Sequence, residues 1–396
     1  MRQLPLPDSS SASALLQEIF SGEPAQPQRD DARSVVLYGA GELGRLALDF
    51  LIYVGVTVEF ALDRAARDGD LLGGLIPVYR PEQSPGLDNH LILVTTVNVP
   101  YSEISEQLKK RGLKRVLPFY DYALQFADRH PLNNGWFSGP LTIDDQRNIT
   151  KVISGFWGAR SLAAYLQFLA WRVLREDWVF DDAVVFNGDR FFIDPVQEIL
   201  SDEECFLDVG AYDGRAFLHF LTVTGEKFNS ALLIEPDEKN FFSLQQTIEK
   251  LPQEIVQKIT LLKGALSSAS GKHAFAQGFD FASRLWDIKQ NEVEVFRLDD
   301  LKFPVSFIKM HIEGEEYEAL KGGLTQIKTH RPILAITVYH NRDGLWKTPM
   351  LLQETLSEYI FVFRMHSWCG TGAVIYGIPK ERLLKGTHSI SDKLLL

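Results

Sequence analysis

One glycine-containing turn with acidic neighbours is the first candidate for chemistry. In the segment CFLDVGAYDG, Asp208 ends an apolar run typical of a β-strand, and Gly210 and Gly214 flank the turn that follows it. A pyrophosphate-binding turn has the spacing Gly-x-Gly-x-x-Gly, which lets bare backbone amides approach the anion. This turn lacks that spacing and places a carboxylate where phosphates would be repelled. It therefore favours a ligand with an ammonium or sulfonium group.

A second acid extends the same candidate site. Glu235 ends the next predicted strand about twenty residues beyond the turn, where its carboxylate can accept two hydrogen bonds from ribose hydroxyls. S-adenosylmethionine combines the three features that such a site would bind, namely a cationic methionine end, a ribose diol and a flat adenine. The alternative is an ordinary α/β domain in which the glycine turn and the strand-end acid are structural.

Two histidines follow later strands and suit proton transfer. His311 lies in KMHIEG, and His340 ends RPILAITVYH. A hydroxyl is a weak nucleophile until its proton leaves, and a neutral histidine, with an ordinary pKa of about 6.5, is a suitable general base. We predict His311, then His340, as catalytic residues, and Glu313 as a residue that orients the acceptor or the cofactor. Either histidine taken alone can instead be structural.

The sequence predicts no metal site. His311, Glu313 and His340 have side chains that bind metals, but their spacing is not a compact ligand motif. The two cysteines, Cys205 and Cys369, are far apart, and each lies in or beside an apolar run. This pattern argues against a disulfide framework and against a zinc site built from cysteines.

Another glycine turn, GAGELG, lies near the start of the chain. Gly39, Gly41 and Gly44 have the full dinucleotide spacing, and Asp63 ends the next predicted strand about twenty residues later. The pattern predicts a second nucleotide site, for which a nucleotide, a nucleotide-sugar or NAD(P) is the candidate ligand. The alternative is a structural or assembly module, since the segment is too short to include a catalytic partner domain.

Parallel strands are needed to bring the later residues together. The predicted strands are CFLDVGA, SALLIEP, ITLLKGAL, VSFIKMHIEG, RPILAITVYH, YIFVFRMHS and GAVIYGIP. Because ligands bind outside the carboxyl ends of such strands, we expect the turn, Glu235 and the two histidines to meet at one crevice. The predicted segments are an N-terminal arm (1–32), a Rossmann-like nucleotide-binding module (33–128), a linker and helical segment (129–183) and a second α/β domain (184–396).

The motifs of the second domain resemble a known family. FLDVGAYDG, IEPDEKN, KGALSS, VFRLDDL, FIKMHIEGEEYEALKGG and RPILAITVYH, in this order, resemble the FkbM family of S-adenosylmethionine-dependent methyltransferases over residues 184 to about 380. The resemblance implies a class I Rossmann-like methyltransferase sheet of seven mostly parallel strands, with the last strand inserted antiparallel. The first module is similar to small Rossmann-like modules found ahead of some FkbM-type methyltransferases.

The resemblance also implies roles for individual residues. It places Asp208, Gly210 and Gly214 at the amino-acid end of the cofactor, Glu235 at its ribose, and Ala265 and Leu266 at its adenine. The predicted cofactor-binding residues are Asp208, Gly210, Ala211, Gly214, Glu235, Ala265, Leu266 and Ser283.

One position departs from the family. The family usually has Lys-x-Asp-x-Glu-Gly where this chain has Lys309-Met-His311-Ile-Glu313-Gly. An active enzyme would methylate a hydroxyl of a saccharide or related small metabolite. The alternative is a non-catalytic regulatory protein that binds S-adenosylmethionine or a nucleotide-sugar.

The net charge and the distribution of apolar residues limit the classes of binding partner that we expect. A net charge of −11 over 396 residues gives no basic surface for nucleic acid or anionic lipid. No stretch is apolar and long enough to span a bilayer, and the start of the chain does not read as a signal peptide. We therefore predict a cytoplasmic protein with a small-molecule acceptor, no nucleic-acid partner and no membrane partner, and leave its oligomeric state open.

Overall fold

The computed structural model describes residues 1–27, 29–87, 89–132, 137–279, 282–285 and 291–383. These residues form a six-stranded sheet and a seven-stranded sheet, together with a four-stranded sheet and a two-stranded pair. The two larger sheets are called the first and the second sheet, and both are mostly parallel with helices between many of their strands. The predicted α/β fold class is confirmed.

The first sheet follows an N-terminal strand and helix. The elements in chain order are β1 (Arg2–Leu4), α1 (Ser9–Ser21), β2 (Ser34–Tyr38), α2 (Glu42–Tyr53), β3 (Thr57–Leu62), β4 (Leu71–Leu72), β5 (Ile76–Tyr79), β6 (Leu91–Val94), α3 (Tyr101–Lys110), β7 (Val116–Pro118) and α4 (Phe119–Ala123). The strand order is β4-β5-β3-β2-β6-β7, and only β4 pairs antiparallel. Connections leave on opposite sides at β2 and β6, so a crevice opens beyond their carboxyl ends.

The segment predicted as a linker contributes to the core. It contains α5 (Ile143–Ser154), α6 (Ala159–Leu174) and β8 (Trp178–Phe180), and the short α7 (Asp194–Gln197) follows. Helix α6 is buried on almost every side because α1 packs on it from outside while the second sheet covers it from inside. Strand β1 pairs in parallel with β8, so the residues expected to form an arm are part of the folded structure.

The second sheet forms from the second half of the chain. Its elements and those of the small sheet are β9 (Cys205–Val209), α8 (Arg215–Thr224), β10 (Ser230–Glu235), α9 (Glu238–Glu249), α10 (Gln253–Val256), β11 (Ile259–Lys263), β12 (Ala265–Leu266), β13 (Gly271–Ala276), β14 (Arg284–Leu285), β15 (Asn291–Phe296), β16 (Phe307–Met310), α11 (Glu316–Lys321), α12 (Leu324–His330), β17 (Ile333–Thr337), α13 (Asp343–Thr355), β18 (Tyr359–Met365), β19 (Ala373–Pro379) and α14 (Lys380–Leu383).

The order of the second sheet is β11-β10-β9-β16-β17-β19-β18. Strand β19 pairs antiparallel with both of its neighbours, which confirms the predicted seven strands with the last one inserted antiparallel. The reversal of connections lies between β9 and β16, so the residues after these strands border the second crevice. The four-stranded sheet, ordered β12-β15-β13-β14, was not anticipated as a separate sheet.

The carboxyl ends of the first and second sheets face each other. The ring of Tyr53 at the end of α2 packs edge-on against Phe279, with centroids 5.4 Å apart. The amide of Trp368 donates to the carbonyl of Val97 at 2.7 Å. Within the described residues, no helix has the length and apolar composition needed to span a bilayer.

The packing of α1 generates a stability prediction. Leu16 is 1% exposed and lies in the core with α6, whereas Leu71 on β4 is 55% exposed. We expect Leu16→Ala to cost about 2–4 kcal/mol, because it leaves a cavity in a close-packed core. Leu71→Ala, the matched control, should change stability by less than about 0.5 kcal/mol. Thermal and urea unfolding of both variants check this, and equal midpoints would contradict a structural role for the N-terminal residues.

Candidate active site

A single cavity of about 830 Å³ lies between the carboxyl ends of the two larger sheets. One wall comes from the residues after β2, β3 and β6, and the other from those after β9, β10, β16 and β17. The crevices of the two sheets therefore open into the same space. The two glycine turns that the sequence suggested as separate sites face one cavity.

The turn after β9 depends on Gly210. Its φ of +75° is in the left-handed region, and a Cβ at this position would lie 2.0 Å from the carbonyl oxygen of His311. The amides of Gly210 and Ala211 both donate to the carbonyl of Ile234, at 3.0 and 2.9 Å. Gly210 thus lets the end of β16 approach the turn, and Gly210 and Ala211 both line the cavity.

Asp208 lies beneath this turn. Its side chain is completely buried, and Oδ1 accepts a hydrogen bond from Lys309 Nζ at 2.7 Å. The same ammonium donates to the carbonyl oxygen of Gly210, also at 2.7 Å. Lys309 therefore pairs with a buried acid. Asp208 does not line the cavity, so the structure places it where it can shape the turn rather than touch a ligand.

Gly214 is also set back from the cavity. Its φ is +88°, and a Cβ there would contact Leu244 and Thr247 of α9. The residue therefore allows α8 to begin close to α9. The structure does not bring Gly214 together with the residues that line the cavity.

Glu235 borders the cavity at the end of β10. Its two carboxylate oxygens accept hydrogen bonds from the amides of Tyr212 and Asp237, at 2.8 and 3.0 Å. Burial raises the pKa of Glu235 to about 7, against the opposing effect of these backbone donors. The carboxylate is thus held in a fixed orientation at the edge of the glycine turn.

Ala265, Leu266 and Ser283 line the same side of the cavity. Ser283 Oγ donates to Asp237 Oδ2 at 2.8 Å, and the amide of Gly278 donates to the same oxygen at 2.6 Å. Asp237 also caps α9. These contacts fasten the loop between β13 and β14 to the cavity edge next to Glu235.

The three predicted catalytic side chains form one cluster. His311 Nε2 lies 3.2 Å from His340 Nε2 and 3.2 Å from Glu313 Oε1, and His340 Nε2 lies 3.3 Å from that same oxygen. The side chains of His311, Glu313 and His340 are 24%, 12% and 1% exposed, and all three residues line the cavity. Strands β16 and β17 are parallel neighbours, which is why residues 29 positions apart meet here.

Glu316 fixes this cluster from behind. Its Oε1 accepts hydrogen bonds from His340 Nδ1 at 2.7 Å and from Thr337 Oγ1 at 2.8 Å. Its carboxylate also accepts from the amides of Ile312 and Gly314, at 3.1 and 3.0 Å. Glu316 is therefore a positioning residue that holds both the loop after β16 and the ring of His340.

The electrostatics of the two histidines differ. Burial disfavours a charged His340, but the carboxylates of Glu313 and Glu316 hold the pKa of His340 above its ordinary value. Burial and the neighbouring guanidinium of Arg190 lower the pKa of His311 well below its ordinary value. His311 is accordingly the neutral imidazole of the pair at neutral pH.

Sequence reasoning missed two residues that line the cavity beside His311. Tyr339 Oη lies 3.1 Å from His311 Nε2, and Arg190 donates to Tyr339 Oη at 3.0 Å. Tyr339 could have been found from the sequence, since it directly precedes His340 at the end of a predicted strand. Arg190 could not have been found in this way, because it lies before β9 in a segment without a recognisable motif.

The first glycine turn lies between β2 and α2, as its spacing predicts. Gly39, Gly41 and Asp63 line the cavity, whereas Gly44 packs against the carbonyl of Gly39 and lets α2 lie close to β2. Asp63 accepts hydrogen bonds from the amides of Ala40 and Ala65, both at 2.8 Å.

Asp63 thus lies where a dinucleotide site has its acid. Nothing else in the described residues supports the predicted nucleotide, nucleotide-sugar or NAD(P) ligand, which stays a prediction.

Comparison with known proteins finds a family match within the second half of the chain. Residues 208–363 match the family model described as Methyltransferase FkbM domain. The search of curated proteins found no match.

Solved structures resemble the chain over different lengths. The methyltransferase FkbM from Methylobacillus flagellatus KT is 22% identical with a TM-score of 0.59, and the match covers 93% of this chain and 97% of that one. The precorrin-6y C5,15-methyltransferase from Geobacter metallireducens GS-15 is 14% identical over 46% of this chain and 82% of that one, with a TM-score of 0.29. A SAM dependent methyltransferase from Aquifex aeolicus is 15% identical over 49% of this chain and 93% of that one, with a TM-score of 0.29. The first structure shows that nearly the whole fold recurs, and the other two do not bear on the fold at such scores.

The close approach at Gly210 can be tested by substitution. Gly210→Ala should lower the melting temperature and displace the loop that contains His311, because the new methyl group would clash with a backbone oxygen. Gly225→Ala is the matched control. Gly225 is also left-handed, with φ +58°, but among the described residues no atom beyond its chain neighbours lies within 4 Å of where a Cβ would be. Its cost should be limited to about 1–2 kcal/mol of backbone strain. Equal losses in thermal unfolding would contradict the importance of the contact.

Proposed function

The chain carries a methyltransferase FkbM domain, and on this premise we propose that it transfers a methyl group from S-adenosylmethionine to a hydroxyl oxygen of a saccharide or related small metabolite. The observation that carries this proposal is the position of His311, Glu313 and His340 in the cavity that also contains the glycine turn and Glu235. Polar side chains suited to hydroxyl activation thus share one space with the residues expected to hold the cofactor.

The residues around the turn fit this cofactor. Glu235 presents a carboxylate at the end of β10, which suits the two hydroxyls of a ribose. Ala265 and Leu266 offer a small and an apolar surface for adenine on the same wall. When bound, the cofactor supplies an electrophilic methyl group on a positively charged sulfur. Gly210 and Ala211 form the turn against which its amino-acid end would lie.

His311 is the residue best placed to take the proton of the acceptor. It is the most exposed member of the cluster, and it lies at the end of β16 beside the turn. His311 Nε2 would take the hydroxyl proton as the acceptor oxygen bonds to the methyl carbon that the cofactor would supply and that carbon leaves sulfur. Alignment of the reacting atoms at about 3 Å supplies much of the rate enhancement. Tyr339 and Arg190 border the same space and are expected to orient the acceptor.

Methyl transfer to a panel of saccharides, measured as release of S-adenosylhomocysteine, tests this proposal. We expect His311→Asn to lose about 100-fold or more of the activity, because general bases contribute at least that much, while binding of S-adenosylhomocysteine stays unchanged. His273→Asn, which changes an exposed residue of β13, is the control and should keep full activity. Tight binding of the cofactor product without methyl transfer to any acceptor would favour the non-catalytic alternative.

The proposed ribose contact predicts a pH dependence of cofactor binding. The pKa of Glu235 is raised to about 7, so its carboxylate becomes protonated as the pH falls through this value and then accepts ribose hydroxyls less well. The dissociation constant of S-adenosylhomocysteine should therefore rise below about pH 7, by up to about tenfold per pH unit.

Calorimetry between pH 5.5 and 8.5 measures this effect. Glu235→Gln should bind more weakly and show no such dependence, whereas Glu238→Gln, an exposed neighbour on α9, should behave like the unmodified protein. A dependence that persists in Glu235→Gln would exclude Glu235 as its source.

A further inference from the structure

We infer that His311, Glu313 and His340 form a binding site for one divalent transition-metal ion, with zinc as the ion that fits best. The ligand atoms of these residues all lie within 4.8 Å of one another. Their spacing in sequence gives no compact motif. The site arises only because the ends of β16 and β17 are adjacent.

The distances match a metal better than a set of hydrogen bonds. His311 Nε2, His340 Nε2 and Glu313 Oε1 form a nearly equilateral triangle with sides of 3.2, 3.2 and 3.3 Å. A tetrahedron with edges of this length has its centre about 2.0 Å from every corner, which is the distance of zinc from histidine nitrogen and carboxylate oxygen. A proton on one of these atoms can bridge only some of the three contacts, whereas a cation accepts a lone pair from each atom.

The surroundings of His340 provide independent support. His340 is 1% exposed, and its Nδ1 faces Glu316 Oε1 at 2.7 Å. A hydrogen bond from Nδ1 to a carboxylate fixes the tautomer that leaves Nε2 free to bind a metal, and histidine ligands of metals nearly always have such a partner. Glu316 is in turn held by Thr337 and by two backbone amides. The orientation of the ligand is therefore set before any ion binds.

The donor set indicates the class of ion. Two imidazole nitrogens and one carboxylate oxygen suit zinc, iron(II), cobalt(II) or manganese(II) better than magnesium or calcium, which prefer all-oxygen sites. The nearby cations include Lys309, which is paired with Asp208, and Arg190, which contacts Tyr339. Arg284 also lines the cavity and favours the charged form of Glu313. Glu313 and Glu316 bring two carboxylates to the same point and offset that positive charge.

The fourth coordination position would open toward the cavity, since all three ligand residues line it. An acceptor hydroxyl bound there would have its pKa lowered by the cation and could lose its proton to water. With an ion bound, the lone pair of His311 Nε2 would be used in coordination, so the cation would replace His311 as the group that activates the hydroxyl. This role rests on the proposed methyl transfer to a hydroxyl. The binding of the ion does not, because it follows from the side-chain geometry alone.

Metal titration of the full chain tests the site. Protein stripped with a chelator is titrated with Zn²⁺ by calorimetry and with Co²⁺ by visible absorption, which reports the coordination geometry. We expect one ion per chain, and a loss of affinity of at least about 100-fold in His311→Ala and in Glu313→Gln, because each removes one of three protein ligands. The control His273→Ala removes an exposed histidine outside the cluster and should bind as the unmodified protein does.

The circular dichroism spectrum and melting temperature verify that each variant is folded, and Glu313→Gln serves if His311→Ala fails to fold. His311→Asp, which restores the residue usual in the resembling family, should keep a site but shift it toward manganese and magnesium. The inference is overturned if the unmodified protein binds no ion, or if the ligand variants and the His273 control bind equally. If one ion binds per chain but no methyl transfer is detected, the metal site is supported and the proposed function is contradicted.

Discussion

The buried ion pair between Lys309 and Asp208 is the contact on which the site depends. Both side chains are almost or fully inaccessible, and a buried charge is tolerated only with a partner and further hydrogen bonds. Lys309 meets this condition by also donating to the carbonyl of Gly210. The pair therefore joins β9, β16 and the glycine turn at the place where the sheet changes the side of its connections. His311 follows Lys309 by two residues, so its position is tied to the same pair.

Much of the second sheet could be predicted because its strands are buried on both faces. Such strands are continuous apolar runs, and their polar endings mark the crevice. Glu235 and the two histidines were identified in this way, and the structure brings them to one cavity. The position of Asp208 beneath the turn was not foreseen, because the sequence shows that an acid ends the strand but not which way the side chain points.

Other parts of the site depend on contacts that no local pattern reveals. Glu316 lies in the first turn of α11, where carboxylates are common because they interact favourably with the helix dipole. The sequence therefore gives no reason to assign it a role in the site. Its contacts with His340 and Thr337 appear only when β17 lies beside β16. Arg190 lies in a segment with no regular element, and the four-stranded sheet uses short strands with weak alternation. Each of these features results from contacts between segments that are distant in sequence, and the local secondary-structure propensity of the residues does not reveal them.

The glycine turns of the two sheets are held by the same kind of hydrogen bond. In each, an acid at the end of the next strand accepts a hydrogen bond from an amide of the turn: Asp63 from Ala40, and Glu235 from Tyr212. A carboxylate in this position suits a ligand that offers hydroxyl donors, such as the diol of a ribose.

Because the two sheets share one cavity, the first sheet helps to enclose the candidate site. The bridge between Arg215 and Glu42 spans the two glycine turns, but both side chains are more than half exposed, so it contributes little to holding the sheets together. The ring contacts of Phe279 with Tyr53 and His130, at centroid distances of 5.4 and 4.7 Å, also join the first sheet to this loop. Since Phe279 belongs to the loop that Ser283 joins to Asp237, the first sheet packs on the side of the cavity where we propose that the cofactor binds. The first sheet thus encloses the space in which the acceptor would have to lie, which a seven-stranded sheet alone would leave open on that side.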